Sequence, residues 1–180
     1  MAVQLTKQAW PSEYRPDVSI FYGDPDPGQE GHLSATWQKN YLVHVPPPYP
    51  MVWDLDPPDG GKPVAYLTMN KKCVDSAMRC FQAILEAYPD RNELEAAQLH
   101  MWGGCFNFRP MRGLQTLSMH SFGCAIDLAP TRNPQHAPYE EEHGMMPMKV
   151  VQIFEAEGWT WGGRWSPRSI DCMHFQAAHL

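Results

Sequence analysis

Three proline- and glycine-rich runs in the first third of the chain, YGDPDPGQEG at 22–31, VPPPYP at 45–50 and DLDPPDGGKP at 54–63, set the strongest limit on how it folds. Proline lacks the amide donor that a helix interior or a sheet ladder needs, and its ring fixes its own φ. None of these runs can therefore be a helix or a central strand. Trp10, Phe21, Tyr22, Trp37, Tyr41 and Trp53 carry too much apolar surface between them for a disordered arm. Residues 1–63 are expected to form an ordered wrap, with short strands near Asn40–Val45 and, just beyond it, Val64–Thr68.

The remaining sequence, 64–180, has the periodicities of a packed core. Val74, Ala77, Met78, Phe81, Ile84, Leu85 and Tyr88 recur at helical spacing, which predicts a scaffold helix from Lys71 to Tyr88 with Asn70 as its N-cap. A second helix is predicted from Met146, with Pro147 in its first turn, Val150, Val151 and Phe154 on one side, and a stop at Gly158. Phe106–Arg109, Cys124–Leu128, Trp159–Trp161 and Met173–Ala177 read as strands. Helices and strands are mixed without regular βαβ alternation, so the expected class is α+β, an antiparallel sheet flanked by helices. With 180 residues, 43% of them hydrophobic, the chain has material for one core and hardly for two, so a single domain spanning 1–180 is expected.

A net charge of −6 gives no reason to expect a nucleic-acid partner. Locally the balance reverses: between His100 and Gln135 the charged residues are Arg109, Arg112 and Arg132 against Asp127 alone, and Arg164 and Arg168 follow without an acid between Gly158 and Ile170. Such a neighbourhood suits a ligand that carries carboxylates. The five cysteines form an odd set without CxxC spacing, which argues against a disulfide framework and a cysteine-rich metal module. Residues 1–10 lack a basic segment followed by an apolar run, and no stretch approaches about 18 apolar residues. Neither a secretory signal nor a membrane span is expected.

Two short stretches hold the chemistry, Ser118-Met119-His120-Ser121-Phe122-Gly123-Cys124-Ala125-Ile126-Asp127 and Asp171-Cys172-Met173-His174-Phe175. Imidazole nitrogen and carboxylate oxygen together suit zinc, and a catalytic zinc keeps three protein ligands with one open position. His120, Asp127 and His174 supply that count. On a strand at 124–128, Asp127 faces a cleft while Cys124, Ile126 and Leu128 point the other way, which also turns Cys124 from the ligand set. Gly123 permits the bend that folds His120 back over the same point. Asp171, three residues before His174, is placed on the turn entering the last strand, where it can exchange a proton with water without binding the metal. That set is complete for amide hydrolysis.

The pattern SxHxxGxAxD, followed by WGGxW and then DxxHF, resembles the zinc D-alanyl-D-alanine peptidases of the VanY-like superfamily, in particular the phage L-alanyl-D-glutamate peptidase endolysins. The resemblance covers about Val64 to Gln176. It implies that His120, Asp127 and His174 bind one zinc ion, that Asp171 is the general base and acid, and that an upstream arginine holds a substrate carboxylate. Arg109 fits that place, with Arg112 the competing choice, and Ser118 matches the serine that orients substrate or a ligand. Aspartate rather than glutamate at position 171 is the pattern of the L-alanyl-D-glutamate branch. Gln176 departs from the glutamate that many relatives carry after His-Phe, removing a charge beside the ligands.

The resemblance thus implies a monomeric zinc metallopeptidase that hydrolyses the L-alanyl-D-glutamate bond of peptidoglycan stem peptides. Such a protein, made in a host cytoplasm without a signal peptide, would reach the wall after the membrane is opened. A D-alanyl-D-alanine carboxypeptidase is the alternative within enzymes, and a non-catalytic zinc-stabilised binding module the alternative outside them.

Overall fold

The computed structural model describes residues 3–180, so the first two positions of the stretch read for a signal lie outside the described residues. The chain forms two short helices around the first proline run, α1 (Asp17–Tyr22) leading into it and α2 (Ala35–Tyr41) after it. Ser34 starts the second by accepting the Trp37 N–H at 3.2 Å. Both lay outside the sequence expectation because each is under two turns long, too short for a periodic signal. The expected early strands are present as β1 (Leu42–Val45) and β3 (Leu67–Asn70), which pair antiparallel in a two-stranded sheet. A further strand, β2 (Val52–Trp53), separates them in sequence.

The scaffold helix α3 spans Val74–Ala87, three residues shorter at its start than the periodicity suggests. Asn70 ends β3 instead of capping α3. Its Oδ1 accepts the Lys72 N–H at 3.1 Å while its amide donates to the carbonyls of Tyr22 and Phe122. A turn of three residues then intervenes. After α4 (Arg91–Ala96) comes β4 (Met101–Gly104), then β5 (Ala125–Leu128), α5 (Met148–Ala156), β6 (Thr160–Trp161) and β7 (His174–Gln176). Pro147 stands at the N-cap of α5.

The second sheet has five strands in the order β2-β4-β5-β7-β6. It is mixed, correcting the antiparallel expectation, because β2 joins β4 in parallel while the other three pairings are antiparallel. Phe106–Arg109 is not a strand. Its donors turn away from the sheet, Asn107 N–H to the His120 carbonyl at 3.1 Å and Arg109 N–H to Ser121 Oγ at 2.9 Å. The strand at this place is β4 (Met101–Gly104), five residues earlier, and its two glycines hid it from a propensity reading.

Strand alternation gives the β5/β7 pair two different faces. Ile126 lies opposite Phe175 and points into the core, where Phe175 stacks on Phe154 of α5 with ring centroids 4.3 Å apart. Phe154 in turn meets Phe81 of α3. Each such buried ring contributes on the order of 1.5–3 kcal/mol through removal from water. On the other face Asp127 lies opposite His174 and Ala125 opposite Gln176. The apolar face anchors the sheet, and the polar face is left for chemistry. The core includes Val18, Tyr22 and Met51 from the first third alongside residues as late as Ala178. No helix among the described residues is long and apolar enough to cross a membrane.

Candidate metal centre

His120 sits in a 3-10 turn, Met119–Phe122, whose start is capped by Ser118 Oγ accepting the His120 N–H at 3.4 Å. Gly123 closes the turn with φ 66° and ψ 25°, the left-handed region that a β-carbon disfavours. The chain then enters β5 and presents Asp127. The bend that the glycine was expected to allow is therefore present, and it brings His120 over Asp127.

The neighbouring strand makes room. The β4–β5 register shifts between Trp102 and Gly104, a bulge beside the site. A β-carbon on Gly103 would lie 2.9 Å from the Asp127 Cβ. The same irregularity carries the Cys105 carbonyl to His120 Nδ1, at 2.6 Å.

His120 Nε2 lies 3.2 Å from His174 Nδ1 and 3.2 Å from Asp127 Oδ2, and His174 Nδ1 lies 3.1 Å from Asp127 Oδ1. The outer nitrogens are already committed. His120 Nδ1–H donates to the Cys105 carbonyl, and His174 Nε2–H donates to Gln176 Oε1 at 3.0 Å. Both inward nitrogens therefore present lone pairs, and the carboxylate has nothing but lone pairs to offer. Acceptors this close require a cation or extra protons between them. A tetrahedron with arms of about 2.0–2.1 Å has edges near 3.3 Å, close to the 3.2 Å between the two nitrogens. One ligand atom from each of the three residues lies within 4.8 Å of the other two. The donor set and its spacing fit zinc.

Asp127 calls for positive charge beside it. Burial penalises its charge, but protons carried toward it by His120 and His174 outweigh burial and hold the carboxyl well below its ordinary range, and a cation at the same point would take the place of those protons. Cysteine ligation has no support: burial pushes the Cys105 and Cys124 thiols well up, and Cys124 Sγ is turned to the Met119 carbonyl at 3.4 Å.

Asp171 stands where the sequence put it, on the turn before β7, with the His174 N–H donating to its carbonyl at 3.2 Å. Gly162 explains part of the WGGxW pattern, since a β-carbon there would collide with the Asp171 carbonyl. The carboxyl Oδ1 of Asp171 is buried and has no hydrogen-bond partner among the described residues. Burial raises the Asp171 carboxyl to about 6, Asp127 reinforcing the shift and His174, His120 and Arg112 opposing it. A carboxylate so placed is poised to exchange protons near neutrality.

All seven residues singled out from the sequence, Arg109, Arg112, Ser118, His120, Asp127, Asp171 and His174, line one cleft of about 560 Å³. Arg112 is tied by its guanidinium to Gln135 Oε1 at 2.9 Å, whereas among the described residues the only side-chain hydrogen bond of Arg109 is a 3.5 Å contact to the Pro110 carbonyl. Sequence reasoning missed Glu13 and His136, which line the same cleft, as does Arg168, read there only as part of a basic neighbourhood. Arg168 had a signal in the local excess of arginine; Glu13 had none. Of the three late tryptophans, Trp159 and Trp161 are core, while Trp165 faces the cleft with its ring 5.2 Å from that of His174. A second cleft of about 260 Å³, bordered by Trp53, Tyr66 and Phe106, shares Arg109, His120 and Asp127 with the first.

Among protein families, a model described as D-alanyl-D-alanine carboxypeptidase matches residues 112–177. The match includes His120, Asp127, Asp171 and His174 and leaves Arg109 outside. Over that part of the chain it supports the likeness to D-alanyl-D-alanine peptidases read from the motifs. No match was found among the curated proteins or the solved structures.

Proposed function

We propose that this chain is a zinc peptidase that cleaves the L-alanyl-D-glutamate bond of peptidoglycan stem peptides, an endolysin-type activity. The observation that carries the reading is the convergence of His120, Asp127 and His174 as unshared donors beside the unpartnered carboxylate of Asp171. Zinc held by these three residues supplies polarisation of the scissile carbonyl and acidification of a water molecule.

The rest falls to the protein's own side chains. Asp171, at the cleft wall, takes the proton of the attacking water on its carboxylate and returns it to the leaving amine, so the proton count closes. Arg109, held only by a 3.5 Å contact to the Pro110 carbonyl among the described residues, docks a substrate carboxylate, with Arg112, tied to Gln135, on the same cleft wall. Ser118 holds the turn that carries His120 and lies at the cleft wall.

Two observations favour an internal bond. Position 171 is aspartate, as in the endopeptidase branch that the motifs resemble. The two clefts meet at Arg109, His120 and Asp127, which leaves room for substrate on both sides of the centre. The description of the matching family favours the second reading, a D-alanyl-D-alanine carboxypeptidase.

Muropeptide digestion followed by mass spectrometry separates them. Fragments with a new D-glutamate amino terminus are expected. Free D-alanine would establish the carboxypeptidase instead, and intact substrate in the presence of zinc would point to a binding module. Asp171→Asn should retain zinc and lose about 10²–10⁴-fold in turnover. Full activity in that variant would remove Asp171 from the mechanism.

A further inference from the structure

We infer that Glu13 is a positioning residue for the metal centre: through the amide of Gln176 it holds His174 in the tautomer whose Nδ1 lone pair faces Asp127 and His120. The inference rests on the metal reading of those three residues given above.

The chain of hydrogen bonds runs in one direction. His174 Nε2–H donates to Gln176 Oε1 at 3.0 Å, and Gln176 Nε2–H donates to Glu13 Oε2 at 2.9 Å. Gln176 is 1% exposed, so solvent does not replace either partner. A primary amide presents a donor at one end and an acceptor at the other, whereas an ionised carboxylate only accepts. Glu13 therefore admits one orientation of the amide, with its NH2 toward the carboxylate and its oxygen toward His174. An oxygen at that place demands a proton on Nε2. The proton on Nε2 leaves Nδ1 free to bind a cation.

Nothing else nearby enforces that order. If the carboxylate were absent, the amide could turn over and offer its NH2 to His174 Nε2. The imidazole proton would then belong on Nδ1, directed into the cluster, and ligation would be blocked. Gln176 alone is ambivalent, and Glu13 resolves it.

Glu13 is held for this task by main-chain bonds. Its own N–H donates to the His179 carbonyl at 2.8 Å, and the His179 N–H donates to the Pro11 carbonyl at 2.9 Å. The stretch 11–13 is thereby stitched to the chain emerging from β7, which ends at Gln176. Part of the N-terminal wrap thus reaches the centre from behind the ligand, and its carboxylate supplies there the charge that Gln176 lacks.

The test measures zinc affinity by competition with a chromophoric chelator, and the His174 tautomer from imidazole nitrogen chemical shifts in the metal-free protein. Glu13→Ala should weaken zinc about 10–100-fold, the usual effect of losing a partner behind a ligand. Adding Gln176→Glu to Glu13→Ala should restore affinity, because a carboxylate at 176 accepts from His174 Nε2 directly. A role confined to folding would give no such rescue. Glu13→Gln, close to isosteric, should show mixed His174 tautomers and an intermediate loss, and it carries the test if the alanine variant does not fold. Zinc affinity in Glu13→Ala within twofold of wild type, or no recovery in the double variant, would overturn the inference. If the wild type binds no zinc, the metal reading fails, and the nitrogen shifts decide the relay alone: one unchanged Nε2–H tautomer in wild type and variants would overturn it.

Discussion

Replacing Gly123 by alanine tests the bend on which the whole centre depends. The position is left-handed, φ 66°, where a β-carbon costs about 1–2 kcal/mol. The added carbon would also lie 2.9 Å from Leu42 Cδ2 and 3.0 Å from the Asn70 nitrogen. Leu42 can rotate its side-chain end away. Asn70 cannot, because that nitrogen is main chain and donates to the Gly123 carbonyl at 2.8 Å. Overpacking of this kind costs about 1–3 kcal/mol, so the sum is about 2–5 kcal/mol. Gly61→Ala provides the comparison, since Gly61 has φ 77° with nothing within 4 Å of its would-be β-carbon. It should lose only the conformational part, about 1–2 kcal/mol. Urea unfolding of the metal-free proteins measures both, and in thermal unfolding each kcal/mol corresponds to about 2–4 °C for a chain this size. The relaxation should also move His120 relative to Asp127 and weaken zinc in a chelator competition. Gly123→Ala as stable as Gly61→Ala would refute the close-packing argument.

Three other expectations concern separate parts of the molecule. Glu157 is fully enclosed, and although burial pushes its carboxyl up, Arg79, Ser76 and the Thr6 N–H outweigh that and hold it below its ordinary value. Its stabilising effect is therefore complete above the unfolded carboxyl pKa of about 4.3 and is lost as pH falls through the folded one. Glu157→Gln should cost about 2–3 kcal/mol at pH 7, less than a fully buried pair because Arg79 is 36% exposed, and it should flatten the acid limb of a stability–pH curve; an unaltered acid limb would contradict this account. Zinc at about 100 times its Kd should stabilise the wild type by about 2.7 kcal/mol in differential scanning fluorimetry. His120→Ala should lose that shift, and an equal shift in the variant would remove His120 from the ligand set. Arg109→Ala should lower kcat/KM on carboxylate-bearing muropeptides by about 10–100-fold, the worth of one charge-assisted hydrogen bond of about 1.5–3 kcal/mol. The loss should disappear on an amidated substrate, and a larger effect from Arg112→Ala would reassign the clamp.

The two stretches that meet in the candidate site were legible from sequence because the spacing within each is local, although their meeting, across 54 positions from His120 to His174, is not. His120, Gly123 and Asp127 lie within eight positions of one another, and Asp171 lies three before His174. Short separations tie a motif to one turn or one strand, whose side-chain directions follow from backbone period alone. The strand alternation that placed Asp127 in the cleft and Cys124 away from it needed no knowledge of the neighbours. Elements whose character depends on neighbours fared differently. Asn70 has the composition of a helix cap, yet β1 pairs with it, so α3 begins later. Met101–Gly104 looks unlike a strand because of its glycines, and one of them, Gly103, lets Asp127 approach.

By itself, the sequence determined the donor types, their number and the turn that gathers them, because bond geometry and period act over a few residues. Only the tertiary structure decided which lone pairs are free. The proton positions on His120 and His174 depend on the Cys105 carbonyl, which carries no side-chain signature, and on Gln176 and Glu13, the latter at the far end of the chain. Hydrogen bonds across such separations form only after the core has packed the two ends of the chain against the same sheet.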